Sequence, residues 1–224
     1  GIIKPHTPIV ISESNAEYDT IFKVQAEAAQ APIYFADQCE LPVGEFELEL
    51  KGIYQQKNIR GVLQAVKLLQ EADWAISPEN IRKGLAQVQQ NTKLRGRWEV
   101  VQQRPLVVCD TGHNEAGIAQ IVQQLAETPK KNLWLVIGMV SDKDQKKVLS
   151  LLPQDANYVF TQPSIERAMP AEKLASIAHE IGLSGCVITS VKAAAHYAIS
   201  QVEADDMVFI GGSTFVVADY FAEK

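Results

Sequence analysis

At 224 residues, with 46% apolar residues and a formal net charge of -6, the chain can hold one large domain or two small ones and can build a real core. Its acidic balance, with no basic run longer than Lys146-Lys147, argues against general binding to nucleic acid or to an anionic membrane. No run reaches the roughly 20 apolar residues of a membrane span, and widely spaced Cys39, Cys109 and Cys186 read as buried, reduced thiols of a cytoplasmic protein.

The first residues, Gly1-Ile2-Ile3-Lys4-Pro5, carry no signal-peptide pattern and read as the interior of a longer chain. Thr7 to Glu13 is expected to form a short buried strand. A helix through about Gln30 follows, with Tyr18, Ile21, Phe22 and Ala26 on one face, then a strand at Pro32 to Ala36. Phe46 to Leu50, FELEL, alternates with period two and predicts a half-exposed edge strand. After a Gly-led loop, Ile59, Val62, Leu63, Val66 and Leu69 make a helical stripe. Ser77-Pro78-Glu79-Asn80 supplies an N-cap, an early proline and an early acid for another helix to about Gln89. This part reads as the second half of an α/β domain.

Polar, basic Asn91 to Arg97 separates that half-domain from a second, more regular region, giving domains 1–97 and 98–224. The second begins with a strand at Trp98 to Gln102. Strands near Leu106, Leu133, Tyr158, Val187 and Met207 then alternate with helical segments. Leu106-Val107-Val108-Cys109 is an apolar run suited to a strand covered on both faces, and Ile118, Ile121, Val122 and Leu125 come after it at helical spacing. The fold expected is α/β, a Rossmann-like sheet of mostly parallel strands with one antiparallel strand, preceded by the half-domain.

Three strand ends carry polar clusters: Asp110-Thr111-Gly112-His113-Asn114, Gly138 to Asp144, and Gly211-Gly212-Ser213-Thr214. In open α/β sheets ligands bind along that rim, where glycines let backbone approach and helix N-termini favour anions. Such residues are also what βα loops ordinarily contain. His113 can exchange protons near neutral pH or cap the following helix. Lys143 is either a site cation or a solvated surface charge. Arg97 can grip a phosphate with its planar fork or serve as a linker charge. His6, His179 and His196 stand alone, no His or Cys pair has zinc spacing, and neither G-x-x-x-x-G-K-[ST] nor G-x-G-x-x-G occurs.

Asp110-Thr111-Gly112-His113-Asn114-Glu115-Ala116 resembles the D-G-A-H-N-P-x-A motif of the folylpolyglutamate and dihydrofolate synthases, members of the Mur ligase superfamily. Gly1 to Pro5 resembles their A-G-I-I-K-P segment, and Leu50 to Asn58 their L-x-G-x-H-Q-x-x-N. Arg95-Gly96-Arg97 stands where P-G-R is usual; Ser141 to Asp144 is similar to their D-K-D loop and Gly212-Ser213 to a late G-S. Tyr54 and Arg95 depart from the pattern, replacing a histidine and a proline.

The resemblance implies a carboxyl-terminal half of such an enzyme: 1–97 as the end of the central ATP-binding domain and 98–224 as the C-terminal domain. It implies ATP-dependent addition of L-glutamate to dihydropteroate or folate through an acyl phosphate, with Mg2+. Asn58 would contact the adenine side of ATP, Arg97 the phosphates and Asp110 the ribose. His113 would lie near the reaction centre, and Lys143 and Ser213 would meet the amino acid. The P-loop and the metal ligands would lie upstream, in a missing N-terminal half, so ligation by this chain alone is not expected. A peptidoglycan-precursor ligase and a non-catalytic α/β ligand-binding module are the competing readings.

Overall fold

The computed structural model describes residues 1–141 and 144–222, in two compact units, Gly1–Lys93 and Leu94–Lys224. Leu94 to Arg97 therefore belongs to the second unit, ahead of the start expected at Trp98.

In the first unit, β1 (Ile9–Ile11) pairs in parallel with β2 (Ile33–Phe35), and α1 (Asp19–Ala28) connects them. Ala26 is the buried residue of α1, whereas Tyr18 and Ile21 are exposed. Three further helices follow, α2 (Gln55–Glu71), α3 (Pro78–Ala86) and α4 (Val88–Thr92). The start of α3 is locally encoded: Ser77 Oγ accepts the Asn80 N–H at 3.1 Å, and Asn80 Oδ1 accepts the Ser77 N–H at 2.9 Å. The strand expected at Phe46 to Leu50 does not form; that stretch is irregular. Its backbone donates from Glu49 N–H to the Leu85 carbonyl at 3.1 Å, and the Glu49 carboxylate accepts the Gln89 N–H at 2.6 Å. Leu48 and Leu50 instead line a groove of about 370 Å³ with Ile59, Val62, Ile81 and Leu85. The alternation reports a segment laid against helices, with no strand ladder to join.

Among the described residues the second unit is a six-stranded sheet. Its strands are β3 (Glu99–Gln103), β4 (Leu106–Cys109), β5 (Leu133–Ile137), β6 (Asn157–Gln162), β7 (Gly185–Ser190) and β8 (Met207–Gly211), in the order β3-β4-β8-β5-β6-β7. All pairs are parallel except β3 with β4. Successive side chains leave a strand on opposite faces, and two cores result. Val108, Leu135, Ile137, Phe160 and Phe209 pack beneath α5 (Glu115–Glu127), α6 (Gln145–Leu149) and α7 (Ala171–Glu180). Val107, Cys109, Val136, Val159 and Ile210 pack beneath α8 (Val191–Ser200) and α9 (Thr214–Phe221).

The apolar runs of β4, β5 and β8 follow from burial on both faces. The thiol expectation divides: Cys109 is buried in β4, and burial pushes its thiol pKa up. Cys186 is exposed, because β7 is the sheet edge and has a strand neighbour on one side alone. No helix among the described residues is long and apolar enough to cross a membrane.

Candidate functional site

Because β8 lies between β4 and β5, the ends of these three strands are adjacent, and the described residues of the polar clusters that follow them share one rim. Close backbone packing explains two of its glycines. A Cβ at Gly211 would stand 2.6 Å from the Asp110 carbonyl oxygen; at Gly212, whose φ is +87°, it would stand 2.8 Å from that of Gly138. Side chains at either position would pry the strand ends apart.

Asp110 directly follows β4, with 2% of its surface exposed. Its Oδ1 accepts the Gly112 N–H at 2.7 Å and its Oδ2 the Trp98 N–H at 2.7 Å. Expected at a ribose, this carboxylate is turned into the protein, where it ties β4 to the loop before β3. Trp98 has φ of +48°, a left-handed conformation uncommon for a bulky side chain. Its ring is buried, 6.3 Å from that of Phe209.

Arg97 is half-buried beside this clamp. Its Nη1 donates to the Thr111 hydroxyl and, at 3.2 Å, to the Gly96 carbonyl. The same carbonyl accepts the Thr111 N–H at 3.0 Å and the Thr111 hydroxyl at 3.1 Å. The arginine is therefore a fixed cation on the rim. Thr111, 7% exposed, fixes it; the sequence places Thr111 in the cluster but gives it no role. Glu99, 8% exposed, also escapes sequence reasoning. A charged residue at a strand start, two after an arginine, was the available signal.

His113 is exposed, and its Nδ1 lies 3.0 Å from the Thr111 carbonyl oxygen. A carbonyl can only accept, so the assigned proton of this contact is on Nδ1. His113 is not the helix cap: Asn114 Oδ1 accepts the Gly117 N–H at 2.8 Å at the start of α5. Ser213, expected to meet an amino acid, is 2% exposed, and its Oγ caps α9 by accepting the Phe215 N–H at 3.1 Å. Lys143 lies outside the described residues. Asn58 belongs to the first unit, is exposed on α2, and donates to Gln55 Oε1 at 2.9 Å. No group of three or more His, Cys, Asp or Glu among the described residues suits a metal ion.

The family model for the Mur ligase, glutamate ligase domain, matches residues 96–214, more than half of the chain and the whole of this rim. The chain belongs to the Mur ligase family. It is 33% identical over 178 residues to a probable bifunctional folylpolyglutamate synthase/dihydropteroate synthase of Haloferax volcanii, covering 78% of this chain and 20% of that one. A dihydrofolate synthase/folylpolyglutamate synthase of Bacillus subtilis is 30% identical over 201 residues, with coverages of 78% and 45%. The fold of this Mur ligase chain matches the crystal structure of a bifunctional folylpolyglutamate synthase/dihydrofolate synthase from Yersinia pestis complexed with AMPPNP and Mn ion. That match has a TM-score of 0.78 at 22% identity, over 97% of this chain and 53% of that one. The chain thus spans about half or less of the length of each.

Proposed function

We propose that this chain is part of an ATP-dependent ligase that adds L-glutamate to dihydropteroate or folate through an acyl phosphate. The observation that carries the reading is Arg97, a cation held by Gly96 and Thr111 on the strand-end rim of a glutamate ligase domain. The names of the curated relatives support the substrates. The Yersinia complex with AMPPNP and Mn ion supports a nucleotide and a divalent cation.

The residues present fit a nucleotide: a positioned guanidinium, an exposed imidazole oriented through its Nδ1 contact and strand ends packed closely through glycines. ATP would supply the phosphoryl group that activates the carboxylate. Arg97 would hold spreading phosphate charge, which such transfers require more than they require a covalent nucleophile. His113, its ring oriented by the contact between Nδ1 and the Thr111 carbonyl, would lie near the reacting groups. Asn58 would read the adenine edge. Asp110 would act by holding Trp98 and Gly112, and so Arg97, in place, and Ser213 by fixing the start of α9. Lys143 retains a proposed role toward the amino acid. Mg2+ belongs to the reaction proposed, but the described residues do not form a site for it, so no step of this chain is assigned to metal.

The first unit would belong to the central ATP-binding domain. A cytoplasmic location is part of the same proposal, as three unpaired cysteines suit a reducing compartment. Titration calorimetry with ADP tests the reading. Arg97→Ala should weaken binding at least tenfold with an unchanged thermal midpoint, whereas equal affinity would remove the observation on which the proposal stands.

A further inference from the structure

We propose that Arg95, Glu99 and Phe221 form a latch that positions Arg97 for its anionic ligand, an inference that rests on the proposed nucleotide site. Arg95 Nε donates to Glu99 Oε1 at 2.6 Å, and the Gly96 N–H donates to Glu99 Oε2 at 2.8 Å. One buried carboxylate therefore grips the two residues that precede Arg97. The Arg95 guanidinium also lies 3.7 Å from the centre of the Phe221 ring, at the last residue of α9. Arginine suits both contacts, since it offers a donor fork along its edge and a flat face to an aromatic ring.

On the other side of Arg97, the Trp98 N–H is held by Asp110. Arg97 thus stands between two clamped residues, Gly96 at φ +70° and Trp98 at φ +48°. A left-handed tryptophan persists only where its surroundings over-determine it. Here they do so from both sides, and an arginine held this way loses little freedom on binding. An ordinary exposed ion pair would contribute little. This pair differs, because Arg95 is 48% exposed whereas Glu99 is 8% exposed. Without Arg95 the buried carboxylate would keep only the Gly96 N–H among the described residues, and the loop would be free to relax toward solvent. Where the resembling family usually carries proline, a ring that fixes φ but cannot reach Glu99, this chain carries a charged tie to a helix.

The test compares wild type, Arg95→Ala, Arg95→Lys, Arg97→Ala and the double variant Arg95→Ala/Arg97→Ala, as full chains. The readouts are 15N relaxation of the Arg97 Nε–H without ligand, ADP affinity, and the thermal midpoint. Arg95→Ala should lose the ordered Arg97 signal and weaken ADP binding about tenfold, or ~1.4 kcal/mol. Arg95→Lys, which keeps the ion pair, should recover most of both. In the Arg97→Ala background, Arg95→Ala should add less than a further twofold. An Arg97 signal equally ordered in Arg95→Ala, or an affinity loss that persists in full without Arg97, would overturn the latch. Wild type that binds no ADP would refute the nucleotide reading, while the relaxation comparison would still decide whether Arg95 positions Arg97.

Discussion

Asp110→Asn removes one oxygen from a site that uses both. Asp110 is 2% exposed and receives N–H groups from Trp98 and Gly112, each at 2.7 Å. An asparagine of the same shape can accept one of them. Its amide nitrogen must face the other, so a charge-assisted bond of about 1.5–3 kcal/mol is lost and a buried N–H is left facing a donor. Turning the amide end toward Trp98 would also release the restraint on a left-handed residue, and relaxing that conformation returns at most roughly 1 kcal/mol. The lost bond and the unsatisfied N–H outweigh that return, and a net destabilisation of about 3 kcal/mol is expected. For a chain of this size that lowers the thermal midpoint by roughly 6–12 °C. The assay is thermal unfolding followed by near-ultraviolet circular dichroism, with Asp205→Asn as the control. Asp205 is exposed and pairs with Arg104 at 3.1 Å, so its loss should change stability by no more than about 0.5 kcal/mol. An Asp110→Asn protein that melts within about 2 °C of wild type would refute the clamp.

Three other outcomes are expected from the same geometry. Ser213→Ala should cost about 1 kcal/mol through loss of the α9 cap, read as a lower urea midpoint at unchanged slope; a neutral result would mean that Ser213 is held for a ligand. Gly212→Ala puts a Cβ 2.8 Å from a backbone oxygen at φ +87°, so a loss of more than about 3 kcal/mol is expected, visible as poor recovery of folded protein. Asp206 accepts the Glu203 N–H and both the backbone and side-chain N–H of Asn132. The Glu203 N–H foremost, then the Asn132 donors, outweigh desolvation and hold its carboxyl below the usual value. A lowered folded pKa adds stability that is full above about pH 4 and lost as pH falls through the folded value. The difference in thermal midpoint between wild type and Asp206→Asn should therefore be constant from pH 7 to 5 and shrink below pH 4. A difference that stays constant to pH 2 would contradict this assignment.

Local signals are legible where one stretch of chain carries the whole cause. The Ser77 cap closes on Asn80 three residues away, and β4, β5 and β8 announce themselves because both faces are buried. The same reasoning fails at Phe46 to Leu50, because alternation says which side chains face inward and not what lies beside the backbone. It also fails at Ser213: glycine followed by serine at a strand end suits a ligand contact or a helix cap equally well.

The amino-acid sequence by itself determined the α/β alternation, the antiparallel start of the second sheet, the strand ends where polar clusters fall and the family motif around Asp110. Each depends on side-chain type at a short, regular spacing. Tertiary structure alone decided that β8 enters between β4 and β5, that Asp110 faces inward and that Arg97 is held between Glu99, Thr111 and Asp110. Those facts depend on which buried donors meet which acceptors once distant segments have packed. A carboxylate has the same place in the sequence whether it turns toward a ligand or toward two backbone N–H groups; only the packed chain chooses.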